Sequence, residues 1–297
     1  MSDRLQELSV FVRAAETGNF SRVAREFGVS QPSVSRMVAA LEERLGIKLL
    51  LRTTRRVTPT DAGAIFLERT RQALGDLDEA AQAARGVDSL HGILRVAMSA
   101  AFGTREVIPR LPAFLAQHRR LRVELLISDR ADDLVAEGAD MAVRLGRIAD
   151  STFGARLLAT SPRFAVASPG YLAARGAPAT LAELSAHDCI TGPGLTGQPG
   201  WSFRRSGAVT SIQVQGRVQV ASSDGVIACA KAGLGIAVVS QWMCQGELER
   251  GELTRVLSDY ALDPAEVHAV YPAGRRPSAK VRGFSDYLAV QLAGSTK

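Results

Sequence analysis

The stretch Phe20–Leu49, FSRVAREFGVSQPSVSRMVAALEERLGIKL, constrains this chain most. It predicts a short helix, a tight turn and a second helix. Phe20, Val23, Ala24 and Phe27 recur at helical spacing, and Asn19 or Ser21 can cap the start. Gly28 stands where a helix should end in a left-handed residue. Ser30 is placed to cap the second helix, with Pro32 in its first turn, where a missing N–H costs nothing. Val34, Val38, Leu41 and Leu45 fall on one side of that helix. At about 100° per residue, Pro32, Ser33, Arg36 and Ala40 point the other way. Small hydrogen-bonding residues and an arginine, opposite an apolar stripe, suit a helix that enters the major groove of DNA. An ordinary amphipathic surface helix explains the stripe but not the agreement of turn, cap and outward face.

The flanks extend the unit. Leu5, Leu8, Val12 and Ala15 predict an earlier helix that closes a three-helix core. After Gly46 comes IKLLLRTTRRVTPT, in which Ile47–Leu51 is apolar and strand-like and a basic turn precedes Val57 and Thr58. Two short strands around a basic turn make a wing, whose arginines reach phosphates or a narrow minor groove. The expected DNA contacts are Gln31, Pro32, Ser33, Ser35 and Arg36 on the helix, and Arg52, Thr53, Thr54, Arg55 and Arg56 in the wing.

Phe11, Ala14, Gly18, Phe20, Ala24, Ser30, Gln31, Pro32, Val34, Ser35, Arg36, Leu41, Glu42, Leu45, Gly46, Leu49, Arg52, Arg56, Thr58, Thr60, Ala62 and Gly63 stand in one register. In these residues the segment 1–60 resembles the winged helix-turn-helix of the LysR-type transcriptional regulators. It departs from that pattern at Ser33, Met37 and Leu50. The resemblance implies binding to double-stranded DNA at a promoter operator and control by a small-molecule effector. It also implies self-association as a homodimer or homotetramer, with RNA polymerase as a candidate further partner.

Charge supports the head as the basic part. The net charge of the 297 residues is +6, yet residues 1–60 alone hold ten Lys/Arg against six Asp/Glu. The basic excess therefore concentrates where DNA would lie. A hydrophobic content of 46% with 22% charged residues is that of a soluble globular protein, long enough for two or three domains. No apolar run approaches the roughly 18–20 residues of a membrane span. The acids and helical periodicity of MSDRLQELSV do not read as a signal peptide, so the expected location is cytoplasmic.

From Thr60 to Asp88 there is no proline, and Phe66, Thr70, Ala73, Leu77, Ala80 and Ala84 alternate at spacings of four and three. That pattern predicts a helix with a coiled-coil seam of small residues, or one packed on its own domain. The family resemblance favours a linker helix, 61–88, that pairs two heads. Gly86, Ser89 and Gly92 mark a boundary.

Beyond it, strands alternate with helices. ILRVAM (93–98), VELLI (123–127) and MAVRL (141–145) read as strands, with helices at 104–115 and 132–137. FAVAS (164–168), 214–220 and GIAVVS (235–240) read as strands of a second unit, with helices at 180–186 and 222–232. VHAVYP (267–272) returns the chain, and 280–292 closes it as a helix. The pattern predicts largely parallel α/β sheets. The expected architecture is an all-α winged helix-turn-helix with a long linker helix, then a two-lobed, periplasmic-binding-protein-like α/β domain at 92–297. Lobe I would comprise 92–163 and 269–297, and lobe II 164–268. The resemblance to the family's effector domain covers this whole stretch.

Ligands of such sheets sit beyond the carboxyl ends of strands, at helix starts. Ser99, Ala100 and Ser128 occupy such places. Arg144 lies inside an apolar strand and needs a partner, either an internal carboxylate such as Asp140 or Asp224, or a ligand anion in the cleft. In the second lobe the candidates are Pro193 within GPG, Trp201, Phe203, Ser222 and Ser223, the two serines reading equally as ordinary caps.

No catalytic constellation stands out. His91, His118, His187 and His268 lack metal-ligand spacing, and no GxSxG, phosphate-binding loop or GxGxxG is present. Cys189, Cys229 and Cys244 have no CxxC spacing and read as structural thiols rather than a redox pair. No cofactor is expected. The alternatives to an effector-controlled DNA-binding regulator are a solute-binding protein or enzyme with a basic appendage, and a DNA-binding protein whose cleft has lost ligand control.

Overall fold

A computed structural model describes residues 2–52, 57–84, 90–128, 139–146, 148, 153–192, 200–272 and 277–294. The wing tip Thr53–Arg56, the expected helix at 132–137 and Pro193 lie outside these residues. The chain divides into two compact units, Met1–Asp88 and Ser89–Lys297.

The first unit is helical. α1 (Ser2–Thr17), α2 (Phe20–Phe27) and α3 (Gln31–Leu45) precede β1 (Leu50–Arg52), β2 (Val57–Pro59) and the long α4 (Asp61–Ala84). The local signals act as their chemistry demands. Asn19 Oδ1 accepts from the Arg22 N–H at the start of α2, and Gly28 ends that helix at φ +65°. Ser30 Oγ accepts from the Ser33 N–H to start α3, and Gly46 ends it at φ +70°. β1 and β2 form an antiparallel ribbon, pairing Leu50 with Pro59 and Arg52 with Val57.

The core gathers Val10, Phe11, Ala14, Phe20, Val23, Val34, Val38, Leu41 and Leu49. On α1 the buried stripe runs through Val10, Phe11, Val12 and Ala14, whereas Leu5 of the expected stripe is exposed. On α3, Leu45 is partly exposed at the helix end. On α4, Phe66 lies 5.4 Å from the Phe11 ring, and Thr70 is buried. Those two members of the supposed seam therefore pack within their own unit, while Ile65 and Leu77 remain exposed.

The second unit begins with β3 (His91–Met98). α5 (Ala100–Phe102), a π turn (Gly103–Val107), a 3-10 turn (Ile108–Arg110) and α6 (Leu111–Gln117) follow as one helical run. The helix expected at 104–115 thus starts earlier and is interrupted. β4 (Arg120–Ile127), β5 (Met141–Leu145) and β6 (Phe153–Ser161) complete the outward path. The chain crosses at Pro162 into β7 (Arg163–Ala167), α7 (Pro169–Arg175), a 3-10 turn (Ala182–Ala186) and β8 (Cys189–Ile190). β9 (Gly200–Arg205), β10 (Ala208–Gln213), α8 (Ser223–Lys231), β11 (Ile236–Ser240) and α9 (Gln241–Glu249) come next. β12 (Thr254–Val256) and β13 (Ala261–Leu262) end this part, and β14 (Ala265–Pro272) and α10 (Ala279–Ala293) return to the first.

The sheets are mixed rather than largely parallel. In the five-stranded sheet β4-β3-β5-β14-β6, β3 pairs in parallel with β4 and β5, but β14 runs antiparallel to both neighbours. The returning strand closes the sheet from the opposite direction. In the four-stranded sheet β12-β7-β11-β8, only β11 and β8 are parallel. Residues 214–220 do not form the expected strand. Gln219 makes one isolated bridge to Thr191, and the Gln215 carbonyl accepts from the Cys189 N–H. A Cβ on Gly216 would stand 1.9 Å from the Cys189 carbonyl oxygen, so the segment runs too close for a regular ladder of side chains. The β9–β10 hairpin and α9 have no counterpart among the expected elements. One apolar core is continuous across both parts, joining Leu94, Phe102 and Phe284 to Val166, Ile227 and Trp242.

Candidate nucleic-acid interface and ligand site

In the first unit the outward face of α3 forms as its sequence dictates. Gln31, Pro32 and Arg36 are exposed, and Ser33 and Ser35 are half-buried. Arg36 Nη2 donates to Ser33 Oγ at 3.2 Å, and Ser33 Oγ lies 2.9 Å from Ser30 Oγ. This chain of hydroxyls places the guanidinium beside the helix start. Ion pairs fix the helices behind that face. Arg13 bridges Glu16 and Glu26 across α1 and α2, and Arg44 of α3 reaches Glu7 of α1 at 2.7 Å. The backbone of Arg52 ends β1, so the basic turn leaves from a paired strand, while Thr53–Arg56 themselves lie outside the described residues.

One residue of this unit carries a role that motif reading does not reveal. Glu42 is 3% exposed, yet carries a carboxylate. Its Oε1 accepts from the Leu49 and Leu50 N–H groups at 3.0 and 3.1 Å, and Lys48 Nζ meets Oε2 at 2.7 Å. Burial alone would raise its pKa, but these bonds from Lys48, Leu50 and Leu49 outweigh burial and hold it below the ordinary value.

In the second unit the parallel strands bring three expected residues together. Met98 pairs with Ile127 on β4 and with Val143 on β5. Ser99, Ser128 and Arg144 therefore stand one residue beyond the same row, on strands about 5 Å apart. The Ser128 N–H bonds the Met98 carbonyl at 3.0 Å. Ser99 has the extended backbone of a helix cap but makes no side-chain cap bond. Asp140 accepts from Lys280 and from the Arg95 N–H, and Asp224 accepts from Arg105.

Arg105, which no sequence motif singles out, ties the two parts of this unit together. It sits on the π turn after Ser99, an irregularity that often marks functional helices. Its Nε donates to Asp224 of α8 at 2.9 Å, and its Nη1 reaches Glu247 of α9 at 3.0 Å. Burial opposes its charge, but Glu247 and Asp224 more than compensate, and its pKa is raised. Beside it, Phe102 meets Trp242 edge-on at 5.6 Å. No sequence pattern links residues so far apart.

Ser222 Oγ caps α8 by accepting from the Gly225 N–H at 3.2 Å, which matches the ordinary reading of that serine, and Ser223 is exposed beside it. Phe203 is a correction. It is 1% exposed, in the core between the three- and four-stranded sheets, and so lines no cleft. Trp201 is half-buried and packs against the same core. Cys189 and Cys244 are buried, and burial pushes their thiols up to about 12, so they stay protonated near neutrality. No group of His, Cys, Asp and Glu suited to a metal occurs among the described residues, and no described helix is long and apolar enough to cross a membrane.

Two family models match this chain. Residues 5–64 match the bacterial regulatory helix-turn-helix protein, lysR family, and residues 88–293 match the LysR substrate binding domain. The chain belongs to the LysR family of transcriptional regulators. It is 36% identical to the HTH-type transcriptional regulator DmlR of Escherichia coli, over 96% of this chain and 93% of that protein. An HTH-type transcriptional regulator of Haemophilus influenzae is 35% identical over 95% of this chain and 99% of its own length. Among solved structures, CrgA of Neisseria meningitidis aligns with a TM-score of 0.61 at 28% identity, covering 97% of this chain and 98% of that one. Full-length AphB of Vibrio cholerae aligns at 0.57 and 28%, covering 96% and 98%. This LysR-type chain is thus a DNA-binding regulator with an effector-binding domain, not an enzyme.

The Arg105 cluster gives a direct expectation. Arg105→Ala leaves the buried Glu247 carboxylate, among the described residues, with the more distant Arg250, and should destabilise the second unit by about 1–3 kcal/mol. Thermal unfolding should show this loss, and Arg105→Ala/Glu247→Leu should regain part of it. An unchanged Tm for Arg105→Ala would mean the cluster contributes nothing to holding the two parts together.

Proposed function

We propose that this regulator reads its operator with Gln31, Pro32, Ser33, Ser35 and Arg36, and grips the flanking backbone with Arg52, Thr53, Thr54, Arg55 and Arg56. The reading rests on the exposed, capped face of α3 and the tethered Arg36. Its parts are the head (1–60), the linker helix (61–88) and a two-lobed effector domain (92–297). Two heads pair through α4, where Ile65 and Leu77 are exposed, giving a dimer or tetramer on a two-half-site operator. The protein works in the cytoplasm, at promoters, where it helps or hinders RNA polymerase.

The effector is a small organic anion, and one observation carries this reading. Ser99, Ser128 and Arg144 converge at the ends of three adjacent parallel strands, and the Ser99 hydroxyl makes no cap bond. A carboxylate there would meet the hydroxyl, backbone N–H groups from Ala100 onward and the guanidinium. Ser222, Ser223 and Trp201 would complete the site from the second lobe. The Arg105–Asp224 pair joins the helical run that follows Ser99 to the start of α8, so a ligand at Ser99 lies six residues along the chain from the contact between lobes. Such a ligand shifts the regulator only as far as its affinities for the two states differ.

Arg36→Ala should weaken operator binding by about 1–3 kcal/mol and narrow the gap to random DNA. Equal losses on both DNAs, in fluorescence anisotropy titrations, would reduce Arg36 to a phosphate contact. Ser99→Ala should weaken effector binding by about 0.5–1.5 kcal/mol while operator affinity stays near wild type. Calorimetry with carboxylates found by thermal-shift screening checks this. Unaltered binding by Ser99→Ala would remove Ser99 from the site, and a response to neutral or cationic compounds alone would remove the anion.

A further inference from the structure

We propose that Glu42 is a positioning residue for DNA binding, which sets the wing relative to α3 without touching DNA itself. The inference rests on the reading that the wing arginines contact phosphates.

Glu42 leaves the inner face of α3, opposite the groove-facing side, and is buried at the base of the wing. One oxygen collects two successive amides at the entry to β1, those of Leu49 and Leu50, and the other holds Lys48. The same short peptide run is gripped from its far side by the start of the linker helix. Thr60 Oγ1 donates to the Lys48 carbonyl at 2.8 Å, and the Thr60 N–H donates to the Leu49 carbonyl at 2.9 Å. Thr60 Oγ1 in turn accepts from the Gly63 N–H at 2.9 Å. A Cβ at Gly63 would stand 1.9 Å from the Leu49 carbonyl oxygen, so glycine there allows the helix to approach. The second wing strand is anchored separately, the Val57 N–H bonding the Gly18 carbonyl at 3.1 Å.

Residues 48–50 are thus clamped between a carboxylate from the recognition helix and a hydroxyl at the linker-helix cap. Among the described residues the ribbon is three residues long on each side, too short to fix its own angle. These tethers set the direction in which the chain leaves β1 toward the wing arginines. A carboxylate oxygen that accepts two consecutive amides fixes the strand's direction as well as its distance. An apolar residue of the same size would fill the volume but set neither.

The test measures binding of the full chain to random-sequence duplex DNA of fixed length across a salt series. Glu42→Met fills the space without an acceptor, while Glu42→Gln keeps a carbonyl oxygen for Leu49 and Leu50. Arg55→Ala/Arg56→Ala reports the wing contacts directly. Glu42→Met is expected to flatten the slope of log affinity against log salt by about one unit for each phosphate the wing no longer reaches. Combining it with the wing variant should flatten the slope little further. Glu42→Gln should keep the wild-type slope, which a role tied only to charge would not allow. A wild-type slope in Glu42→Met beside a flattened one in the wing variant overturns the proposal. So does loss of the head's helical fold in Glu42→Met with Glu42→Gln intact, because Glu42 would then act through stability alone. A wild-type slope in the wing variant sinks the wing reading instead, since that variant leaves Glu42 untouched.

Discussion

A carboxylate taken out of water must be met by donors or cations, and in both units of this chain that requirement decides which elements come together. In the head the carboxylate is Glu42, 3% exposed, which draws the start of β1 onto the inner side of α3. In the effector domain it is Glu247, also 3% exposed, which draws Arg105 across from the element that follows Ser99. In each case the buried charge lies beside a proposed functional surface and not on it. Apolar contact supplies the bulk of the stabilisation, through Phe11 and Leu41 in one unit and Phe102 and Trp242 in the other. Apolar packing alone is tolerant of sliding and rotation. The charged contacts add direction, and direction is what a wing or a pair of lobes needs.

How much of this can be read from residues follows from the range of each signal. Asn19, Gly28, Ser30 and Gly46 act within a few residues of themselves, and they mark the helix ends of the head. Strands with an unbroken apolar run, such as MAVRL, are equally legible. What is not legible is contact between distant parts. Arg105 meets residues more than a hundred positions away, and nothing in its neighbourhood announces that. The segment 214–220 has the composition of a strand, but a close approach at Gly216 keeps it out of a ladder. Phe203 reads as a cleft aromatic only while its strand, β9, is unknown, and with it the sheet that buries the ring. Strand direction escapes the sequence for a related reason. Alternating strands and helices imply parallel pairing, and only the topology shows that β14 returns between β5 and β6.

Membership of the LysR family joins these two halves into one task, a DNA-reading head governed by a ligand-binding domain. The physical demands on the halves differ. The head must be stiff, because groove recognition fails when a side chain is misplaced by an ångström or so, and its caps, ion pairs and buried carboxylate supply that stiffness. The effector domain must have two arrangements close in free energy, so that a ligand can choose between them. Its lobes share a continuous apolar core, and the charged contact at Arg105 stands next to the proposed ligand position. An irregular helical run, with a π turn in place of regular helix, carries Arg105 there.

The outward face of α3 is proposed to read DNA sequence. Selection of binding sites by the full-length protein from a random duplex library tests it most directly. Enrichment of related half-sites separated by about one helical turn or a multiple of it is the expected result. Recovery of bound DNA with no enriched sequence, at salt where the protein still binds, would contradict it.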